Sequence, residues 1–225
     1  EYDGGAGPSG SVATGHTANN NQKGNLFNIT NNSSSAINIS HLSQGGNKSY
    51  GVTASVYYNT TAYHNTSSGS SSGWTSVFSG AITLVSGSYV DMDITDIVIP
   101  AGATYGFHVF YTNLIGYTNG TGTPGVSAIV SNSDLTITQG HGCGSLYTQN
   151  YSPRNWNGKV TYGSLPAAIK TDNYYNLEID GSASNVGALN IDGDLTIVSG
   201  ASLNKAATNY NIAGSFANSG TFTTT

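Results

Sequence analysis

Charge is the first thing this sequence lacks. Asp, Glu, Lys and Arg make up 8% of its 225 residues, against about 25% in ordinary soluble domains. Six basic residues cannot lay down the stripe that neutralises a nucleic-acid backbone. Nor can they form a polybasic patch for an anionic membrane, and the formal net charge of -5 points the same way. Cysteine is almost missing as well. Cys143 stands alone, so no internal disulfide can form and the disulfide-stapled scaffolds are excluded. No apolar run approaches the roughly 20 residues of a membrane-spanning helix, so membrane insertion by a helix is not expected. Good helix formers are scarce, and no signal peptide is visible. The chain opens at Glu1, as a processed or trimmed chain would.

What is present is Ser, Thr and Asn together with 30 Gly and 15 Tyr. Thr, Val, Ile, Tyr and Phe suit a pleated, half-buried surface. Gly, Asn, Asp and Ser supply the turns. With 37% hydrophobic residues the chain can still build a core. Many short strands joined by tight turns are therefore expected. Asn-x-Ser/Thr triplets such as those at Asn28, Asn59, Asn65 and Asn119 arise by chance in so Asn- and Ser-rich a chain.

Residues 1–24 show no apolar rhythm and read as a flexible arm. From Asn25 the period becomes two: Phe27 and Ile29, Ile37 and Ile39, then Val52, Ala54, Val56 and Tyr58. After a loop at 66–73 come Trp74 to Phe78, Ile82 and Leu84, Tyr89 to Ile94 and Ile97 to Ile99. The clearest apolar face is Tyr105, Phe107, Val109 and Tyr111. Val126 to Val130 and Leu135 to Ile137 follow. Asn157-Gly158 is a hairpin signal before Val160 and Tyr162. About ten strands of this kind predict a β-sandwich, jelly-roll-like, over 25–163. A linker at 164–168 leads to a repetitive segment at 169–225. There Leu177/Ile179, Leu189/Ile191, Leu195/Ile197 and Tyr210/Ile212 each precede a Gly turn. Such units bury their apolar faces only by stacking, which predicts a short parallel β-solenoid; a small β-meander is the alternative. Thr225 follows no polar cap, so either more chain or another subunit is expected to cover the last rung.

Several stretches resemble a known group of proteins. They are Gly24-Asn25-Leu26-Phe27-Asn28-Ile29-Thr30, Ala36-Ile37-Asn38-Ile39, Ile99-Pro100-Ala101-Gly102 with Tyr105-Gly106-Phe107, Tyr117-Thr118-Asn119-Gly120, and Ser152-Pro153-Arg154-Asn155-Trp156-Asn157-Gly158. In this order they resemble a β-sandwich module of large secreted surface proteins and adhesins of Bacteroidetes-type bacteria. The tail, Tyr174 through Phe222, is similar to the repetitive β-rich segments of the same proteins. The resemblance implies an extracellular, cell-surface location more than any chemistry.

Candidate sites are few. None of His16, His41, His64, His108 and His141 makes a metal-type pair. His108 lies opposite the aromatic strand face and is expected at the surface or facing the sheet. His141 and Cys143 could share one side of an extended segment as a base and nucleophile, but glycines flank both and an idle or buried thiol is the better expectation. Asp91, Asp93 and Asp96 could offer oxygens to Ca²⁺; a solvated strand face is the plainer reading. Glu178 is the one glutamate after Glu1, which disfavours paired-carboxylate glycoside hydrolysis. Arg154, Trp156 and Tyr117 form a possible glycan or partner contact. Against this stands a structural lock, with Trp156 plugging the sandwich and Arg154 satisfying carbonyls at a sheet end. Other tyrosines, Tyr57, Tyr58, Tyr63 and Tyr111, offer further contact area. The leading expectation is a non-enzymatic structural and adhesive protein whose partners are other copies, a longer chain or surface glycans. The alternatives are a carbohydrate-binding module, and a filament subunit that polymerises by strand addition.

Overall fold

In the computed structural model the described residues are 8–165, 167–169, 173–185, 187–205 and 209–224. They form two compact units, Pro8–Ser164 and a second that begins at Leu165. Both are built from β-strands, as the turn-rich, β-branched sequence predicts.

The first unit has twelve strands: β1 (Gly10–Ala13), β2 (Asn20–Asn31), β3 (Ile37–Gln44), β4 (Gly51–Asn59), β5 (Thr75–Thr83), β6 (Val90–Ile99), β7 (Thr104–Asn119), β8 (Ala128–Ser131), β9 (Leu135–Thr138), β10 (Gly140–Cys143), β11 (Tyr151–Asn155) and β12 (Gly158–Ser164). The small sheet runs β1-β12-β3-β6. The large sheet runs β5-β4-β7-β11-β10-β2-β9-β8, and β7 also pairs with β2. All of these pairings are antiparallel. The alternation read in the sequence becomes a two-sided core. Phe27, Ile29, Phe107, Val109 and Tyr111 of the large sheet meet Ile37, Ile39, Leu42, Met92 and Val160 of the small one.

Three expectations need correction. The arm at 1–24 is largely part of the sandwich: residues 10–13 pair with β12 and bury Val12, and β2 starts at Asn20. Residues 1–7 lie outside the described ones. Asn157-Gly158 does not turn a hairpin. β11 belongs to the large sheet and β12 to the small one, so the chain crosses between sheets here. Glycine is needed at 158 for contact, because a Cβ there would lie 2.1 Å from the Trp156 ring. Finally, 164–168 is barely a linker, since β12 runs to Ser164 and the next strand starts at Ala167.

The second unit is a parallel coil with three faces. One face stacks Ala167–Ile169, Ser182–Asn185, Ser202–Lys205 and Thr221–Thr224. The second stacks Asn173–Tyr174, Leu189–Ile191 and Tyr210–Ile212. The third stacks Leu177–Ile179, Leu195–Ile197 and Phe216–Asn218. Leu177 pairs with Leu195 and Leu195 with Phe216, so successive turns take 18 and 21 residues. Leu189, Ile191, Leu195, Ile197 and Leu203 fill the interior. Two of the glycines that follow short strands are set by the tightness of the corners. A Cβ on Gly193 would meet the Asn176 side chain at 2.2 Å, and one on Gly214 would meet Asp194 at 2.5 Å.

Side chains repeat along the coil as hydrogen-bonded rows. Asn190 Nδ2 donates to Asn173 Oδ1 at 3.1 Å, and Asn211 Nδ2 donates to Asn190 Oδ1 at 2.8 Å. Ser202 Oγ donates to Ser182 Oγ at 3.2 Å. Substituting Asn190→Ala removes the middle of the asparagine row, which is exposed. A loss of about 1 kcal/mol is expected, read as faster amide exchange over 189–197 with no change in the sandwich.

Candidate functional site

The residues with chemical potential gather on the outer face of the large sheet. In β2 the inward positions are Phe27 and Ile29, so Leu26 and Asn28 point outward. His108 of β7 and the pair His141 and Cys143 of β10 share that face through the register His141↔Leu26 and Leu26↔His108. Two loops, 60–74 and 144–150, close over it. The result is a small second core of Leu26, Tyr63 and Cys143, against which Trp74 packs.

Asn28 organises the first loop. Its Oδ1 accepts the Tyr63 backbone N–H at 2.8 Å. Its Nδ2 donates to Gly125 O at 2.9 Å and to His64 Nδ1 at 3.0 Å. That amide is fixed by the first two bonds, so His64 Nδ1 must be the bare, accepting nitrogen. The second loop hangs on His108, whose Nε2 accepts the Tyr147 N–H at 3.2 Å while Nδ1 lies 3.2 Å from Asn25 O. A neutral imidazole protonated at Nδ1 satisfies both. Burial holds His108 below the ordinary range, at about 4, because a charged ring has no water there. His141 Nδ1 lies 3.0 Å from Tyr63 Oη, and burial lowers its pKa as well. Around this framework Tyr57, Trp74 and Tyr147 pack as a half-exposed aromatic group. Ring centroids are 5.3 Å apart for Tyr57–Tyr147 and 5.7 Å for Trp74–Tyr147. Tyr147 has φ 60, the left-handed region that bulky residues rarely adopt.

His108 lies opposite the aromatic strand face, as its position in β7 predicts, but it is wholly buried rather than at a surface, because the loops cover it. Cys143 is fully buried too, and burial raises its pKa far above that of a reactive thiol. Its sulfur is 3.9 Å from His108 Nδ1. His141, its proposed base, faces Tyr63 instead. A thiol that stays protonated makes a poor nucleophile.

Asp91 and Asp93 do share one face of β6, on the outside of the small sheet. Asp91 accepts from Ser43 Oγ and sits 3.4 Å from Lys159 Nζ. The Ser43 hydrogen bond, with Lys159 adding, holds its carboxyl below the usual range. Asp93 is 3.6 Å from His41 Nε2. Asp96 is exposed further along β6, beyond a register shift opposite Ile39/His41. Each of the first two carboxylates thus faces a hydrogen-bonding or cationic side chain of a neighbouring strand. Among the described residues no three of His, Cys, Asp and Glu converge as a metal would require.

Arg154 and Tyr117 come together, and Trp156 is enclosed in the sandwich core. Trp156 is 0% exposed and stacks on Phe27 with centroids 4.5 Å apart. Its Nε1 donates to Gln44 Oε1 at 2.9 Å. Arg154 Nη1 donates to Pro153 O at 2.8 Å, Nε donates to Tyr117 Oη at 3.3 Å, and the guanidinium lies over the buried Tyr117 ring. Trp156 plugs the sandwich as the lock has it. Arg154 is held by the carbonyl of its neighbour Pro153 and the Tyr117 hydroxyl rather than by a set of sheet-end carbonyls. No ring face of Trp156 or Tyr117 is open to a sugar, so the contact read from the sequence is corrected on this point. Tyr63 and Tyr111 are interior as well.

Sequence reasoning missed Gln44, Asn28 and Tyr147. Gln44 accepts from Trp156 and from Tyr111 Oη at 2.8 Å, and donates to Gly45 O and Asn157 O. The available signal was a polar residue among buried neighbours: Asn28 between Phe27 and Ile29, Gln44 at the end of an apolar strand.

Compared with protein-family models and with curated proteins, the chain matches none.

Proposed function

We propose that this chain is part of an extracellular structural and adhesive protein of the bacterial surface, in keeping with its resemblance to Bacteroidetes-type adhesins. The observation that carries the reading is the pairing of a β-sandwich with a coil that grows by stacking rungs. Both are coated in hydroxyls and amides rather than charge. Such a coil is a way to build an extended support from one repeated unit. Uncharged polar surface suits weak contacts, which become effective by multivalency. Support also comes from the interior, where His108 is committed to holding the Tyr147 loop and the thiol is buried beneath it. Contact with glycans would fall on half-exposed Tyr57, Trp74 and Tyr147, since Trp156 is enclosed. Partners on this reading are other copies, a longer chain, or surface glycans.

The test is location together with multivalent adhesion. Antibody raised against the chain is expected to label intact source cells, and beads coated with the chain to adhere at least tenfold better than soluble chain competes. Antigen reachable only after the cells are lysed would overturn the reading, as would beads that bind no better than uncoated ones.

A further inference from the structure

The loops over the large sheet are tied to one another and to the sheet by different kinds of bond. Between the loops, Gly69 N–H donates to Tyr147 O at 2.9 Å, Gln149 N–H donates to Ser68 Oγ at 3.0 Å, and Gln149 Nε2 reaches Thr66 O at 3.2 Å. They are joined as one cover. Some of its ties to the sheet are ones that acid leaves alone: Asn59 donates to Ser72 O and accepts from the Thr61 N–H, and Tyr57 is bonded to Tyr147. Its ties to the sheet that depend on pH run through imidazoles: His64 to Asn28, His108 to Tyr147, His141 to Tyr63. In the first two the ring nitrogen is a required acceptor, because its partner is an amide N–H. Protonation turns that nitrogen into a donor facing a donor. The backbone ties are Tyr63 N–H to Asn28 Oδ1 and Gly106 N–H to Thr61 O.

We propose that the loops 60–74 and 144–150 form an acid-released cover, held to the outer face of the large sheet by neutral His108 and His141, whose protonation lifts it from Leu26 and Cys143. The titratable groups facing these rings are tyrosines and the thiol. Tyr57, Tyr147 and Cys143 stand against His108, and Tyr63 against His64 and His141. All are neutral at acid pH, so none offers a countercharge to an imidazolium.

The sign follows from linkage. A closed cover favours neutral His108 and an open one lets it titrate normally. The closed form is therefore fully favoured above the ordinary histidine range and loses ground as pH falls through it. With His108 at about 4 when covered, this ring alone makes opening on the order of 50-fold more favourable at pH 4.5 than at pH 7.5.

Cys143, the sole cysteine, lies under the cover and reports on it. Its labelling by 4,4′-dithiodipyridine would be measured from pH 7.5 to 4.5, normalised at each pH to the urea-unfolded chain. Protection is expected to fall at least tenfold while amides of β3 and β12 stay protected in hydrogen exchange. Peptides covering 60–74 and 144–150 are expected to exchange faster in the same range. The non-titrating substitution His108→Gln is expected to flatten most of the response. Should that variant fold poorly, half-buried His141→Gln serves and is expected to reduce it. Constant protection of Cys143, or loss only together with β3 and β12, would overturn the proposal. So would a full acid response in every histidine variant that folds.

Discussion

Trp156→Ala is expected to cost about 3–5 kcal/mol and to leave the sandwich largely unfolded at moderate urea. The ring is wholly enclosed and lies flat on Phe27, with an interplanar angle of 5°. Gly158 has no side chain where one would strike the indole. Backbone on one side and Phe27 on the other limit how far the site can collapse, so a cavity persists. Removing the indole also strands Gln44 Oε1 with Tyr111 as its remaining donor. The measurement is a urea midpoint from far-UV circular dichroism, together with the apparent m-value. A variant within 1 kcal/mol of the parent would show that the ring is peripheral.

Gln44→Leu is the second large effect, at about 2–4 kcal/mol. Leucine nearly matches the volume, so packing is roughly kept and the loss is polar. Trp156 Nε1, Tyr111 Oη and the carbonyls of Gly45 and Asn157 all lose a partner in a dry interior. A stranded buried donor costs far more than an average hydrogen bond contributes. Because both substitutions break the Trp156–Gln44 bond, the double variant is expected to cost less than the two singly. Strict additivity in a double-mutant cycle would mean that the two side chains act independently.

Much of the fold was legible because strand alternation is written in every second residue. Phe27/Ile29, Ile37/Ile39 and Phe107/Val109 all face the core as their spacing predicts. The coil was legible as repetition, yet its period was not. The apolar pairs at 177, 189, 195 and 210 look irregular in a list, because two faces alternate in it. Leu177, Leu195 and Phe216 stack on one face, Leu189 and Tyr210 on another. The remaining face is carried by small residues such as Ala183 and by Leu203, which give no strong signal alone. The Asn157-Gly158 dipeptide misled because local turn preference and tertiary contact both select glycine. Here the indole made the selection.

The site was less legible still. An outward strand face reads as solvent-facing, and nothing local announces that residues 60–74 and 144–150 fold back over it. Asn28 and His108 therefore look like surface residues until the loops are in place. The lock could be phrased from the sequence but not its hub, since Gln44 draws its partners from residues 111, 156 and 157, far away along the chain.

The coil has one further consequence. Measured along the face of Leu177, Leu195 and Phe216, a turn uses 18 or 21 residues and advances by a single strand spacing of about 4.8 Å. The same residues stretched out would reach roughly ten times as far. Chain is thus spent on girth rather than length, and resistance to bending climbs steeply with girth. A Gly/Ser tether of equal size would wander over many directions. This segment keeps its heading.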